Sequence, residues 1–260
     1  MRQKRSGILR CSLDMKDLFA IDRRIYLEDI KEDPVESTEA ADLPGGDGGL
    51  LISRNRQRLD ITLKIRIKEH EPRAHVQVLQ KIKAWAAKGG WLRSVDHARQ
   101  RIFVQCTKPI SYSHLDWLED RQITFSAFGL AYWQDEDAIE VEKKAARSGS
   151  VTITPLGTRP CYLEAEITNT GGYLMTEFSV SANNQSFSFT GLSVPMDGTL
   201  QIGYDNNHFL FAKVGETHVL GKRLYTSDDH IFLLPLEENT ITYSADQACT
   251  AKFIARGVYE

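Results

Sequence analysis

Residues 60–92 read DITLKIRIKEHEPRAHVQVLQKIKAWAAKGGWL, and two different periods run through them. In 60–68, Ile61, Leu63, Ile65 and Ile67 alternate with Thr62, Lys64, Arg66 and Lys68, the pattern of a strand with one face buried and one wet. After Glu71-Pro72 the spacing becomes helical, with Val76, Leu79, Ile82 and Trp85 on one stripe. Pro72 suits a first turn, where its missing N–H would have no partner, and Gly89-Gly90 stops the helix and lets the chain reverse. A strand, an amphipathic helix and a tight reversal predict one helix packed on a sheet.

Outward from this stretch, IYLEDI (25–30), RIFVQCT (101–107) and QITFSAFGL (122–130) read as further strands, which makes the first half of the chain α+β. LPGGDGGLL (43–51) reads as a loop, because its four glycines weaken any regular element. Trp85 and Trp91, two of the four tryptophans, flank the glycine pair. Burial is the default for such large aromatics, so both are expected to brace the helix-to-strand turn. Trp91 has a second reading as a subunit contact, where tryptophan is over-represented.

Residues 134–150, QDEDAIEVEKKAARSGS, are densely charged and end in small residues. This change of composition predicts a domain boundary, with domains at 1–147 and 148–260. Beyond it helical periodicity disappears. VTIT, CYLEAEI, YLMTEFSVS, QSFSFTGL, TLQIGY, HFLFAKV, THVL, TITYS and AKFIARGVY alternate or run apolar, with NTGG, ANNQ, MDG and DNN as turns between several of them. Many short strands joined by turns predict an all-β sandwich.

Composition narrows function. A length of 260 residues suits two domains, 42% hydrophobic and 26% charged residues suit a globular chain, and a net charge of −3 gives no electrostatic case for nucleic acid or a membrane surface. The basic N-terminus lacks the apolar run of a secretory signal, and no stretch has the roughly 20 apolar residues of a membrane span. Cys11, Cys106, Cys161 and Cys249 are scattered without a C-x-x-C pair, as expected of thiols in a reducing cytoplasm. The acids Asp116, Glu119 and Asp120, and again Asp135, Glu136 and Asp137, are contiguous, whereas acid–base pairs come from separate elements that converge, so solvated charge is expected. Asp228-Asp229-His230 has no further ligand nearby in sequence and reads as a turn. GxSxG, HExxH, Walker and Rossmann patterns are all missing, so no catalytic residue, metal or cofactor is expected, and the chain does not read as an enzyme.

The order LFAIDRRIYLEDIKEDP, GGDGGLL, ITLKIRI, AWAAKGGWL, VDHARQRIFVQC and QITFSAFGLAYWQDE resembles the N-terminal domain of the distal tail protein of long-tailed, non-contractile bacteriophages, the baseplate hub family. From SGSVTITPLGTRPCYLEAEITNTGG through QIGYDNNHFLF to the C-terminus the chain resembles the family's galectin-like β-sandwich. The resemblance implies a split β-barrel-like sheet with one helix, followed by the sandwich. It implies a virion structural protein at the tail tip, made in the host cytoplasm from a phage or prophage gene. Its N-terminal domains would join as a hexameric ring between the tail tube protein and a tail-associated hub or tape-linked protein, with a receptor-binding protein as a further partner. DNA would pass through the opening without specific binding, and no membrane is involved. Family members begin close to the equivalent of Met15, so residues 1–14 are expected to be an extension and Met15 an alternative translation start.

On this view Lys64, Arg66 and Lys68, the polar face of the 60–68 strand, are candidate contact or lumen residues, together with Trp91. The alternative is a carbohydrate-binding module using Asn206, Asn207, His208 and Arg223. Against it, all four tryptophans lie in the first domain, so a tyrosine would have to supply the stacking platform, and Asn206-Asn207 suits a hairpin turn.

Overall fold

The computed structural model describes residues 10–42, 49–111 and 121–260, and the side chains of these except 38–42 and 49–55. The chain divides into two compact units, Met1–Trp133 and Gln134–Glu260.

The first unit contains β1 (Cys11–Leu13), β2 (Lys16–Asp17), the short helix α1 (Leu18–Ile21), β3 (Ile25–Asp42), β4 (Gly49–Ile67), α2 (Pro72–Ala86), β5 (Gly90–Ser94), β6 (Gln100–Lys108) and β7 (Arg121–Ala127). Its strands lie in the order β2-β1-β5-β6-β7-β4-β3 with antiparallel neighbours. The alternation in β4 works as the sequence predicts: Leu59, Ile61, Leu63, Ile65 and Ile67 are buried, and Lys64 and Arg66 face the other way. Residues 31–42, acidic in their first half, continue β3 beyond the predicted 25–30 strand, and Asp42 pairs with Gly49. The predicted loop at 43–51 lies mostly outside the described residues.

Helix α2 starts where Glu71 caps it, its carboxylate accepting from the backbone N–H of Arg73 and Ala74. The buried stripe is His75, Val78, Leu79, Ile82 and Ala86, so the expected Leu79 and Ile82 are at its centre while Val76 and Trp85 fall at its margins. Trp85 is half-buried at the stripe's margin, edge-on to Phe125 with ring centroids 5.8 Å apart, and its Nε1 donates to the Lys16 carbonyl at 3.0 Å. A tryptophan N–H needs a partner, and the margin supplies one that the apolar stripe would not.

The glycine pair has two separate causes. Gly89 sits at φ +62°, and a Cβ there would overlap the Val104 carbonyl oxygen of β6. At Gly90 a Cβ would overlap the carboxylate of Asp14, which accepts from the Trp91 N–H at 2.8 Å. Asp14 and Met15, at φ +47° and +64°, form the turn of the β1–β2 hairpin, so that hairpin is locked onto the start of β5. Residues 11–13, expected to belong to an extension, are thus a strand of the sheet, with Cys11 and Leu13 buried.

The second unit opens with β8 (Trp133–Asp135), which straddles the division, and continues with β9 (Ile139–Ile153), β10 (Cys161–Tyr162), β11 (Glu164–Asn169), β12 (Met175–Ala182) and β13 (Gln185–Val194). Then come β14 (Thr199–Tyr204), β15 (Leu210–Val214), β16 (Thr217–His218), a short 3-10 turn, β17 (Phe232–Leu233), β18 (Asn239–Ala255) and β19 (Val258–Tyr259). The charged segment 134–150 is therefore not a linker: most of it is β9, whose polar side chains flank a full-length pairing with β18. β18 organises the unit. Its first half pairs with β12, its second half with β11, and an irregularity between Ser244 and Cys249 separates the two. The predicted TITYS and AKFIA runs are one strand, because the polar residues between them fall at that irregularity.

Two buried asparagines pin loops of this unit. Asn169 donates to the carbonyls of Tyr173 and Val194 and accepts from the Gly171 N–H. Asn239 donates to the carbonyls of Ile153, Leu234 and Glu237 and accepts from the Leu234 N–H and Asn183 Nδ2.

Gly89→Ala is expected to lower stability by about 2 kcal/mol or more, since strain at positive φ adds to the clash with Val104. Urea unfolding followed by tryptophan fluorescence measures it. Asn239→Leu strands several buried carbonyls and an N–H, and is expected to cost about 3 kcal/mol in the same assay.

Candidate functional site

Helix α2 covers one face of the first unit's sheet, and the opposite face carries its polar residues. Register places Asp60, Thr62 and Lys64 of β4 opposite Ser126, Thr124 and Gln122 of β7, Gln105 of β6 opposite Ser126, and Trp91 of β5 opposite Phe103. Directly opposed residues share a face, so these side chains form one continuous surface.

Its centre is a hydroxyl network. Thr62 Oγ1 and Thr124 Oγ1 are 3.1 Å apart, Thr107 Oγ1 and Ser126 Oγ are 2.8 Å apart, and Ser126 donates to Asp60, which also takes Arg58 Nε at 3.0 Å. Ser126 and Thr124 are buried, so these bonds satisfy groups that would otherwise be costly. At one margin Glu28 of β3 takes both Lys64 Nζ at 3.4 Å and Arg66 Nε at 2.9 Å. Lys68 Nζ lies 4.0 Å above the Tyr26 ring. At the other margin Trp91 is half-buried, edge-on to Phe103 at 5.4 Å, with the Arg101 guanidinium 4.1 Å above its ring.

Of the residues singled out in the sequence, Lys64, Arg66 and Lys68 come together along β4, while Trp91 lies on the same face but three strands away. Asp60, Glu28, Arg101 and Phe103 complete the surface and were missed. The alternation in RIFVQCT could have placed Phe103 opposite the buried Ile102 and Val104. Nothing local in IYLEDI marks Glu28 as the partner of two cations on another strand.

Trp91 is bounded by aromatic and guanidinium groups rather than enclosed as a core anchor. Its ring faces away from α2, so the core cannot cover it.

The remaining candidates have structural partners. Asp116, Glu119 and Asp120 lie outside the described residues. Asp135 accepts from the Tyr259 hydroxyl at 3.1 Å; burial pushes its carboxyl above the ordinary carboxylate range. The backbone carbonyl of Glu136 takes Arg256 at 2.6 Å. Asp228 accepts from the Ser186 N–H, and Asp229 pairs with Arg223 at 3.2 Å, so the two carboxylates point to different partners. Among the described residues no group of three or more His, Cys, Asp or Glu is placed to hold a metal ion.

Asn206 and Asn207 form the β14–β15 turn, with Asp205 Oδ1 accepting from the N–H groups of Asn207 and Phe209. A tyrosine pair does exist nearby, Tyr162 and Tyr204, stacked on each other at 4.2 Å, with His208 5.9 Å from Tyr162. One face of each ring is taken by the other, His230 and Phe232 lie 5.3 and 5.0 Å from Tyr162, and burial pushes the Tyr204 hydroxyl up and the His208 imidazole down to about 4. No helix among the described residues is long and apolar enough to cross a membrane.

No protein-family model matches the sequence, and no curated protein matches it. Solved structures do. The Dit protein of phage SPP1, described as a paradigm of the hub adsorption apparatus in phages infecting Gram-positive bacteria, matches with a TM-score of 0.69 and 10% identity over 96% of this chain and 99% of that one. A chain of the phage p2 baseplate in its activated conformation with strontium matches with a TM-score of 0.55 and 9% identity, over 96% and 98% of the two chains. The calcium form matches equally. At these identities the likeness is one of fold, and it spans both units.

Asp60→Ala should cost about 1–3 kcal/mol, because Ser126 and Arg58 lose their acceptor on a partly buried network. Glu28→Ala should cost no more than about 1 kcal/mol, its partners being substantially exposed. Chemical denaturation of the two variants side by side checks the difference.

Proposed function

We propose that this chain is the distal tail protein of a long-tailed, non-contractile phage: the hub of the tail-tip baseplate, acting by assembly rather than catalysis. The observation that carries this reading is the match to the SPP1 Dit fold from end to end, 96% of one chain on 99% of the other. An accidental likeness of one common sandwich would not extend through a second unit of different architecture.

The surface supports a role in self-association. β2 and β3 are the two ends of the first unit's sheet path, and among the described residues β3 pairs with β4 alone. Exposed edges invite strand pairing with another chain, and two different edges meeting head to tail generate a ring when the rotation closes. The ring is a hexamer in this reading, with its first-unit sheets side by side and the second unit a galectin-like β-sandwich. One side stacks on the tail tube protein and the other on a tail-associated hub or tape-linked protein, with a receptor-binding protein beyond. The helix-free face offers Trp91 with Arg101 as an amphipathic anchor for such a contact. Lys64 and Arg66 share the Glu28 carboxylate, so β4 presents mixed charge, which suits a passage for DNA without specific binding.

Light scattering coupled to gel filtration, followed by negative-stain imaging of the largest peak, tests the reading. A six-fold ring is expected. A chain that stays monomeric at high concentration and also fails to co-assemble with tail tube protein would sink it. Trp91→Ala is expected to weaken the ring while shifting the melting temperature by only a few degrees, since the side chain stands outside the core.

A further inference from the structure

The β3–β4 hairpin outruns its sheet. β7 accompanies β4 only as far as Leu59, opposite Pro34, so residues 35–42 and 49–58 pair with each other and, among the described residues, with no third strand. A two-stranded ribbon is marginal in water by itself, so whatever holds its root decides how rigidly it stands.

At that root Glu32 of β3 holds two donors. His97 Nε2, from the β5–β6 turn, is 2.8 Å from one carboxylate oxygen, and Trp133 Nε1 donates to the other at 3.1 Å. The His97 ring lies flat on the Trp133 indole, centroids 3.9 Å apart and planes 10° from parallel. Its Nδ1 faces Gln100 Oε1 at 3.2 Å. Both ring nitrogens therefore face oxygen acceptors, and a neutral imidazole has only one N–H to give. The indole face favours a cation as well. From β4, Arg56 lies 4.5 Å above the Tyr132 ring and donates to the Ala131 carbonyl, so both strands of the root are fastened to residues 131–133.

We propose that His97, Glu32 and Trp133 form a protonation-dependent clasp on the root of the β3–β4 arm, closed while His97 is an imidazolium and loosened when it loses its proton. The charged groups acting on the pair are Asp96 in the same turn and Arg56 on β4, while Gln100 and Trp133 contribute neutral partners. Burial pushes His97 down, but the hydrogen bond and charge of Glu32, with Gln100 and Asp96, outweigh it and hold the imidazole above its ordinary value. For Glu32 burial acts upward, and the hydrogen bonds from His97 and Trp133 with the nearby positive charges hold the carboxyl below its ordinary value. The folded His97 value exceeds the unfolded one, so its contribution is complete below about pH 6.5 and is lost as pH rises through the folded pKa. Deprotonation leaves one N–H for two acceptors and removes the charge from the indole face.

Hydrogen exchange of the full chain from about pH 6 to about pH 9, corrected for intrinsic rates, tests the clasp at peptides covering residues 25–42, with β18 as internal reference. Opening of the arm is expected to rise from about pH 6.5 to the folded His97 pKa and to level off above it, by about tenfold in all for each unit by which that pKa exceeds 6.5, while β18 stays constant. In His97→Gln, a substitution at a side chain 27% exposed, the arm is expected to be open already at pH 6, with a flat profile. An NMR titration of the ring gives a second readout: a His97 pKa above 6.5 that falls in Glu32→Gln. A flat profile in the unsubstituted chain, the same rise in His97→Gln, or a His97 pKa at or below 6.5 overturns the proposal.

Discussion

The apolar side of β4 has to be kept from water, and the first unit is arranged around that requirement. Leu59, Ile61, Leu63, Ile65 and Ile67 all point one way and are 9% exposed or less. Each such side chain is worth about 1.5–3 kcal/mol when buried. α2 supplies the cover with Val78, Leu79 and Ile82, and β5, β6 and β7 add Leu92, Ile102, Val104, Ile123 and Phe125. A single helix covers a single face, so the other side of the sheet is left to polar residues and to Trp91. The surface available for contact is a consequence of how the core is closed.

That surface is not loosely solvated. Thr62, Thr124, Thr107, Ser126 and Asp60 bond to one another, which lets buried hydroxyls sit in the middle of the sheet without loss. The charged and aromatic groups stand at its two margins, Glu28 with Lys64 and Arg66 on one side and Trp91 with Arg101 and Phe103 on the other. In the second unit the equivalent rigidity comes from inside. Asn169 and Asn239 are almost fully buried and tie turns to strands, so the loop ends are held.

The tight approaches at Gly89, to the Val104 carbonyl, and at Gly90, to the Asp14 carboxylate, bind the helix end and the β1–β2 hairpin to the sheet. Glu32 and His97 bond at the root of the arm, Asp228 to the backbone of β13 and Asp135 to Tyr259. The β3–β4 arm extends past β7, and at its root Glu32 and Arg56 bond to His97, Trp133 and Ala131.

Much of this was legible in the sequence because it depends on neighbours along the chain. The alternation of Ile61 to Ile67, the glycine stop at 89–90 and the turn residues of the second half mark strands, a helix end and hairpins through local period and backbone freedom alone. The resemblance in residue order pointed to the same fold that the structural likeness supports. Other features had no local signature. The buried stripe of α2 keeps Leu79 and Ile82 but takes His75, Val78 and Ala86 in place of Val76 and Trp85, because the sheet decides how much of each flank is covered. Residues 134–150 look like a linker but become β9 because β18, about a hundred residues away, supplies partners for their backbone groups. Cys11 to Leu13 join the sheet through β5. The partners of Lys64, Arg66, Trp91 and His97 are likewise set by strands and turns that only the tertiary structure brings alongside them. Period and turn chemistry are properties of short segments, whereas register, pairing and charge partnership depend on distances that no segment contains.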